Sequence, residues 1–264
     1  MSSLSKWVEK SLLFTKIFIV LLVVLSIGGL EPVYASSNLM VSAAASLTDA
    51  FKAIVVSFEK SHPGTHINLN LASSGTLCAQ IERGAPTDVY ASASERFMNR
   101  LQKEGMIINS TRHNFVKNSI VVIQGRNVPK IHKLNQLLDK DITHIAIGDP
   151  SHVPAGRYAK QALIHAGLWK KIHNKLVLAV NVRQVREYVA QGAVEAGIVF
   201  SSDAIVPQVK VAVKIPSSFH VPICYPIAVV KGCQNLKLAK EFISFVLSPK
   251  GQNILKKYGF EPIK

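Results

Sequence analysis

V-S-A-A-A-S-L-T-D-A-F, residues 41–51, joins two patterns of different period. Residues 38–41 read as an extended run, and three small residues follow, Ala43, Ala44 and Ala45. Beyond Ser46 the apolar positions fall at helical spacing: Leu47, Phe51, Ile54, Val55 and Phe58. The spacing predicts a strand feeding a helix over 47–60, with Ser46 as its N-cap, since a serine hydroxyl accepts from the free N–H groups of the first turn. A helix start offers unpaired N–H donors and a partial positive charge, which suits an anion, and small residues let one approach the backbone. One capped helix means little. Significance depends on recurrence.

The device recurs three times. Residues 67–71, I-N-L-N-L, alternate as a half-buried strand and run into A-S-S-G-T (72–76), where Ser74 opens a helix carrying Leu77 and Ile81. A strand over 144–147 leads through G-D-P-S-H-V-P-A-G (148–156) to a helix over 157–166, with Ala155 at its mouth and Pro154 just ahead of it. A strand over 176–180 meets Asn181, which caps a helix over 182–190 beginning at Val182. Further strands are expected at 89–92, 119–123, 197–200, 208–215 and 225–230. Further helices are expected after Ser94, around 134–138, over 236–247 and over 251–258. Alternating β and α implies an α/β fold with parallel, doubly wound sheets and ligands at the carboxyl ends of strands. Polar crossings near 114–118 and 217–221 divide the chain into two such lobes joined by two crossing segments. Lobe I is expected over 36–116 and 221–264, and lobe II over 117–220.

The leader comes before both. Lys6, Lys10 and Lys16 precede an apolar core at 17–25, Gly28 and Gly29 break it, and V-Y-A (33–35) resembles a cleavage site. Residues 1–35 therefore read as a secretory signal peptide removed after Ala35, which places the mature chain in the periplasm. The 264 residues are 48% hydrophobic, enough for real cores. Net charge is +15, but the basic residues are scattered with no aromatic-interleaved patch, which disfavours nucleic acid and fits general attraction of small anions. The three cysteines, Cys78, Cys224 and Cys233, make no C-x-x-C, and the expected strand between the last two holds them too far apart to pair. They read as structural or free thiols. His152 has no second ligand at metal spacing, so no cation site is expected.

The four helix starts, at Ser46, Ser74, Ala155 and Val182, offer hydroxyl and backbone N–H donors without Lys, Asp, Glu or His at the donor position. Arg157 and Arg183 lie close by, on helix first turns, and Arg183 is an alternative ion-pair partner for an anion. A set of neutral donors suits a fully deprotonated oxyanion. An anion that keeps a proton finds no acceptor there, and each unmet donor costs about 1–3 kcal/mol. Phosphate at neutral pH is thereby disfavoured; molybdate, tungstate and sulfate are not.

The segments A-A-A-S-L-T (43–48), A-S-S-G-T-L (72–77), G-A-P-T-D (84–88), G-D-P-S-H-V-P-A-G-R-Y-A-K (148–160), V-R (182–183), G-I-V-F-S-S-D-A (197–204) and K-Y-G-F (257–260) resemble the periplasmic molybdate-binding proteins of ABC transporters. The resemblance implies that Ser46 and Ser74 give hydroxyl and backbone donors, that Ala155 and Val182 give backbone N–H groups, and that two lobes close over the ligand. It also implies handover to an inner-membrane permease, no cofactor, a monomer and no enzymatic activity. At the end of the G-I-V strand the family often has a tyrosine; here Phe200 stands there and is expected to wall the pocket with one donor fewer. A receptor for another tetrahedral anion, chiefly sulfate, is the alternative. A hydrolase is disfavoured because no G-x-S-x-G elbow, P-loop or H-E-x-x-H occurs.

Overall fold

In the computed structural model, residues 37–126, 128 and 130–263 are described. The expected signal peptide and its cleavage site lie outside them. The chain opens with β1 (Ser37–Ala44), a 3-10 turn (Ala45–Leu47) and α1 (Thr48–Ser61), then β2 (Thr65–Ala72), α2 (Ser74–Glu82), β3 (Val89–Ala91), α3 (Glu95–Lys103) and β4 (His113–Lys117). Next come β5 (Ile120–Gln124), β6 (Ile145–Gly148), α4 (Pro154–His165), β7 (Leu176–Ala179), α5 (Val182–Ala190), β8 (Ala196–Phe200) and β9 (Lys210–Lys214). The chain then returns through β10 (Cys224–Val229), α6 (Leu236–Leu247), α7 (Pro249–Lys257) and β11 (Glu261–Pro262).

Two sheets result. The first has six strands in the order β11-β4-β10-β3-β1-β2, and the second has five in the order β7-β6-β8-β5-β9. Each has a parallel centre, β3-β1-β2 and β7-β6-β8. The expectation of wholly parallel sheets is corrected, because β10, β4 and β11 pair antiparallel in the first sheet and β5 and β9 in the second. The strands that the crossings enter, β5 and β10, run against the βα units, as does β11, while β4 and β9 run with them. The stretch 114–117, expected as part of a crossing, is a strand of the first sheet; the chain leaves it at Asn118–Ser119. The expected α-helix around 134–138 is a 3-10 segment.

The first sheet draws on both chain ends because its core does. Phe51 and Phe58 of α1 are fully buried on the same helical face, about two turns apart, and both meet Phe242 of α6, with ring centroids at 6.2 and 5.4 Å. Burying each such side chain contributes about 1.5–3 kcal/mol. The C-terminal helix pair is thereby fastened to the N-terminal βα unit. All three cysteines are free.

Candidate oxyanion site

The four helix starts lie at the carboxyl ends of parallel strands. β1 and β2 are in register from Ser37↔Thr65 to Ala44↔Ala72, so Ser46 and Ser74 follow side by side. β6 and β7 are in register to Gly148↔Ala179, which does the same for the segments leading to Ala155 and Val182. The first N–H groups of these helices have no partner within the helix.

Ser46 does not act as an N-cap. It sits inside the 3-10 turn Ala45–Leu47, and neither that turn nor α1 has a side-chain cap. Its buried hydroxyl instead lies 3.0 Å from the phenol oxygen of Tyr225. Capping of α2 falls to Ser73, whose Oγ accepts from the Thr76 N–H at 3.2 Å. Ser74 is thereby released for other use. Fully buried at the first helical position, its Oγ accepts from the Ala93 N–H at 2.9 Å, and its carbonyl accepts from the Tyr90 hydroxyl at 2.8 Å. Asn181 caps α5 as expected, its Oδ1 accepting from the Gln184 N–H at 3.0 Å.

Before α4 the chain is held by Asp149. Its carbonyl accepts from the Val153 N–H at 2.8 Å, and its carboxylate accepts from the Ser151 N–H at 2.8 Å, a bond that holds the carboxyl below the ordinary range. Pro154 is the first helical residue itself, where its missing N–H costs nothing. Gly156 packs so close to the end of β6 that a methyl group there would run into the Gly148 carbonyl. This places Ala155, fully buried, against the strand end.

Two sets of contacts join the sheets at these points. The Gly75 N–H donates to the His152 carbonyl at 2.9 Å, tying the start of α2 to the loop before α4. Arg183 Nε donates to the Ala45 carbonyl at 3.1 Å, and its guanidinium pairs with Asp49, tying the start of α5 to the Ser46 turn. Arg183 is therefore paired with Asp49, and both line a cavity together with Ser46. Phe200 ends β8, is buried, and lies between Tyr158 and Tyr225, with centroids at 6.2 and 5.5 Å. Ser46, Ser74, Ala155 and Val182 thus lie beyond strand ends on segments that these contacts link in pairs, and Phe200 ends β8 beside Tyr225, the neighbour of Ser46. Beside the Ser46 turn opens a cavity of about 200 Å³ whose lining includes Asp49, Arg183, Arg186 and Lys257.

The profile of the bacterial extracellular solute-binding proteins matches residues 39–261. The chain belongs to this family. Among similar proteins, the molybdate-binding protein ModA of Haemophilus influenzae is 35% identical over 234 residues, spanning 86% of this chain and 91% of the relative. ModA of Escherichia coli is 38% identical over 229 residues, spanning 84% and 88%. The solved structure of the Azotobacter vinelandii periplasmic molybdate-binding protein superposes with a TM-score of 0.78 at 26% identity, covering 86% of this chain and all of that one.

In this solute-binding protein three side chains near the site escape a reading of the sequence. Tyr225 stands in an apolar strand and reads as core. Asn118 stands in a polar crossing and reads as linker. Asp203, in the 3-10 turn after β8, is 2% exposed and neither carboxyl oxygen has a hydrogen-bond partner. Burial pushes its carboxyl up to about 7, against the pull of Arg183 and Arg186. The partners of Tyr225 and Asn118 lie 84 to 179 residues away for the contacts that matter, so no local pattern marks them.

Proposed function

We propose that this extracellular solute-binding protein captures molybdate, and tungstate with it, and delivers the oxyanion to an inner-membrane ABC permease. The strongest support is the conjunction of four neutral-donor helix starts at strand ends with two buried serine hydroxyls, Ser74 Oγ accepting from the Ala93 N–H and Ser46 Oγ lying 3.0 Å from the Tyr225 phenol oxygen. A hydroxyl that accepts from within keeps its own proton for a ligand. The relatives named as molybdate-binding proteins support the same ligand.

In this reading Ser46 and Ser74 donate through hydroxyl and backbone, Ala155 and Val182 through backbone N–H, and Phe200 walls the pocket. Helix dipoles offset the ligand's charge without a counter-ion. No bond in the ligand is made or broken and no cofactor is required, so the protein acts as a receptor and not as an enzyme. It works as a monomer in the periplasm after cleavage following Ala35. Ligand favours the closed arrangement because it bridges donors from both sheets.

Calorimetric titration with molybdate, tungstate, sulfate and phosphate tests the proposal. Tight binding of the first two, weaker sulfate and no phosphate is expected. Absence of binding by molybdate and tungstate defeats it; sulfate binding as tightly or more tightly makes the protein a sulfate receptor.

A further inference from the structure

The hydroxyl of Ser46 has a neighbour that the ligand does not need to touch. Tyr225, fully buried, lies with its phenol oxygen 3.0 Å from Ser46 Oγ. On its other side the Asn118 Nδ2 donates to that oxygen at 3.2 Å. The orientation of the Asn118 amide is determined by its surroundings. Its Oδ1 accepts from the Ser119 N–H at 2.9 Å and from the Ser201 hydroxyl at 2.8 Å, and its Nδ2 also donates to Ser202 Oγ at 2.9 Å. An amide flip would set a backbone N–H against an NH2 group, so Nδ2 faces Tyr225.

Direction follows from donor counting. Asn118 Nδ2 has no lone pair to offer, so the phenol proton has one acceptor among its bonded partners, Ser46 Oγ. A buried hydroxyl left without an acceptor would lose about 1–3 kcal/mol. Burial also holds the Tyr225 phenol well above its ordinary range, so the proton stays on it. Ser46 therefore accepts from Tyr225 and retains its own proton. Ser74 is arranged alike, accepting from the Ala93 backbone N–H.

We propose that Asn118 and Tyr225 form an ordered hydrogen-bond relay that keeps the Ser46 hydroxyl a donor toward the bound oxyanion, making both positioning residues for selectivity against anions that carry a proton. The proposal rests on the oxyanion-receptor reading and adds to it the origin of the donor polarity. Asn118 lies where the chain passes from β4 to β5, and Tyr225 stands in β10 just after the return, with the Asn118 N–H bonded to the Ile223 carbonyl at 3.2 Å. The relay is thus carried by the two crossings themselves.

The variant that reverses the relay is Asn118→Asp. Its carboxylate accepts a hydrogen bond from the Tyr225 O–H, the phenol oxygen accepts from Ser46, and a serine lone pair then faces the anion. Molybdate affinity is expected to fall roughly a hundred-fold. Adding Tyr225→Phe removes the link, so the double variant Asn118→Asp/Tyr225→Phe is expected to regain roughly ten-fold over Asn118→Asp alone. A purely structural role predicts the contrary, a double variant as weak as or weaker than Asn118→Asp, and that result overturns the relay. Tyr225→Phe alone gives a second, milder reading: roughly ten-fold weaker molybdate and a narrowed preference for molybdate over phosphate in competition. An unchanged preference also overturns the relay and decides the matter if Asn118→Asp fails to fold, as judged by unliganded thermal unfolding. Failure of the unmodified protein to bind either molybdate or tungstate would instead count against the receptor reading.

Discussion

At Gly75 the start of α2 meets the loop before α4 backbone to backbone. A methyl group there would lie 2.6 Å from the His152 carbonyl oxygen and 2.7 Å from its Cα, and both are backbone that cannot turn aside. Gly75→Ala is expected to hold the helix start and the loop apart, weakening molybdate at least ten-fold by titration. Unliganded thermal stability should change little, because neither sheet loses core. Phe200 gives the opposite test. Phe200→Tyr restores a hydroxyl whose acceptor would be the bound anion, and a buried hydroxyl without one is costly. Several-fold tighter molybdate binding by titration is expected, together with a lower unliganded unfolding midpoint. The place of both serines just beyond strand ends was legible, but Ser46 was misread as a helix cap, because a local pattern cannot reveal a partner 179 residues away.

At the scale of the element, the charges around the site come from α1, α5, α7 and the turn after β8, as Asp49, Arg183 with Arg186, Lys257 and Asp203. The Arg183–Asp49 pair is partly exposed and contributes little to stability, yet it spans the sheets. Asp203 is different, being buried and without a hydrogen-bond partner. Its carboxyl sits at about 7 in the fold against an ordinary 3.8, so the native protein keeps a proton that the unfolded chain releases. Its contribution is fully present below the ordinary value, is lost as pH rises toward 7, and is constant above that. At about 1.4 kcal/mol per unit of pKa the slope amounts to a few kcal/mol. Asp203→Asn is expected to abolish it, so denaturant unfolding should show the variant gaining on the parent from pH 4 to pH 7. Equal slopes would mean that the carboxyl is not held protonated.

At the scale of the whole molecule, the proposed closure and ligand binding form one equilibrium. A ligand that binds only the folded chain stabilises it by RT ln(1 + [L]/Kd), about 2.7 kcal/mol at a hundred-fold excess over Kd. Molybdate at that excess should raise the unfolding temperature by several degrees in scanning calorimetry, and phosphate at the same concentration should leave it unmoved. The net charge of +15 is spread over the chain, so added salt should slow association more than it speeds dissociation.

Apart from β4, β11 and the 3-10 segment at 134–138, the order of strands and helices, the use of both chain ends in one sheet and the four helix starts at strand ends follow from local period and punctuation. Hydrophobic spacing and helix starts are properties of neighbouring residues. Strand direction at the crossings, the pairing of Arg183 with Asp49, the isolation of Asp203 and the Asn118–Tyr225–Ser46 chain were decided only in three dimensions. Each depends on groups that meet because the chain crosses from one sheet to the other and returns, and burial there turns ordinary side chains into directed hydrogen bonds.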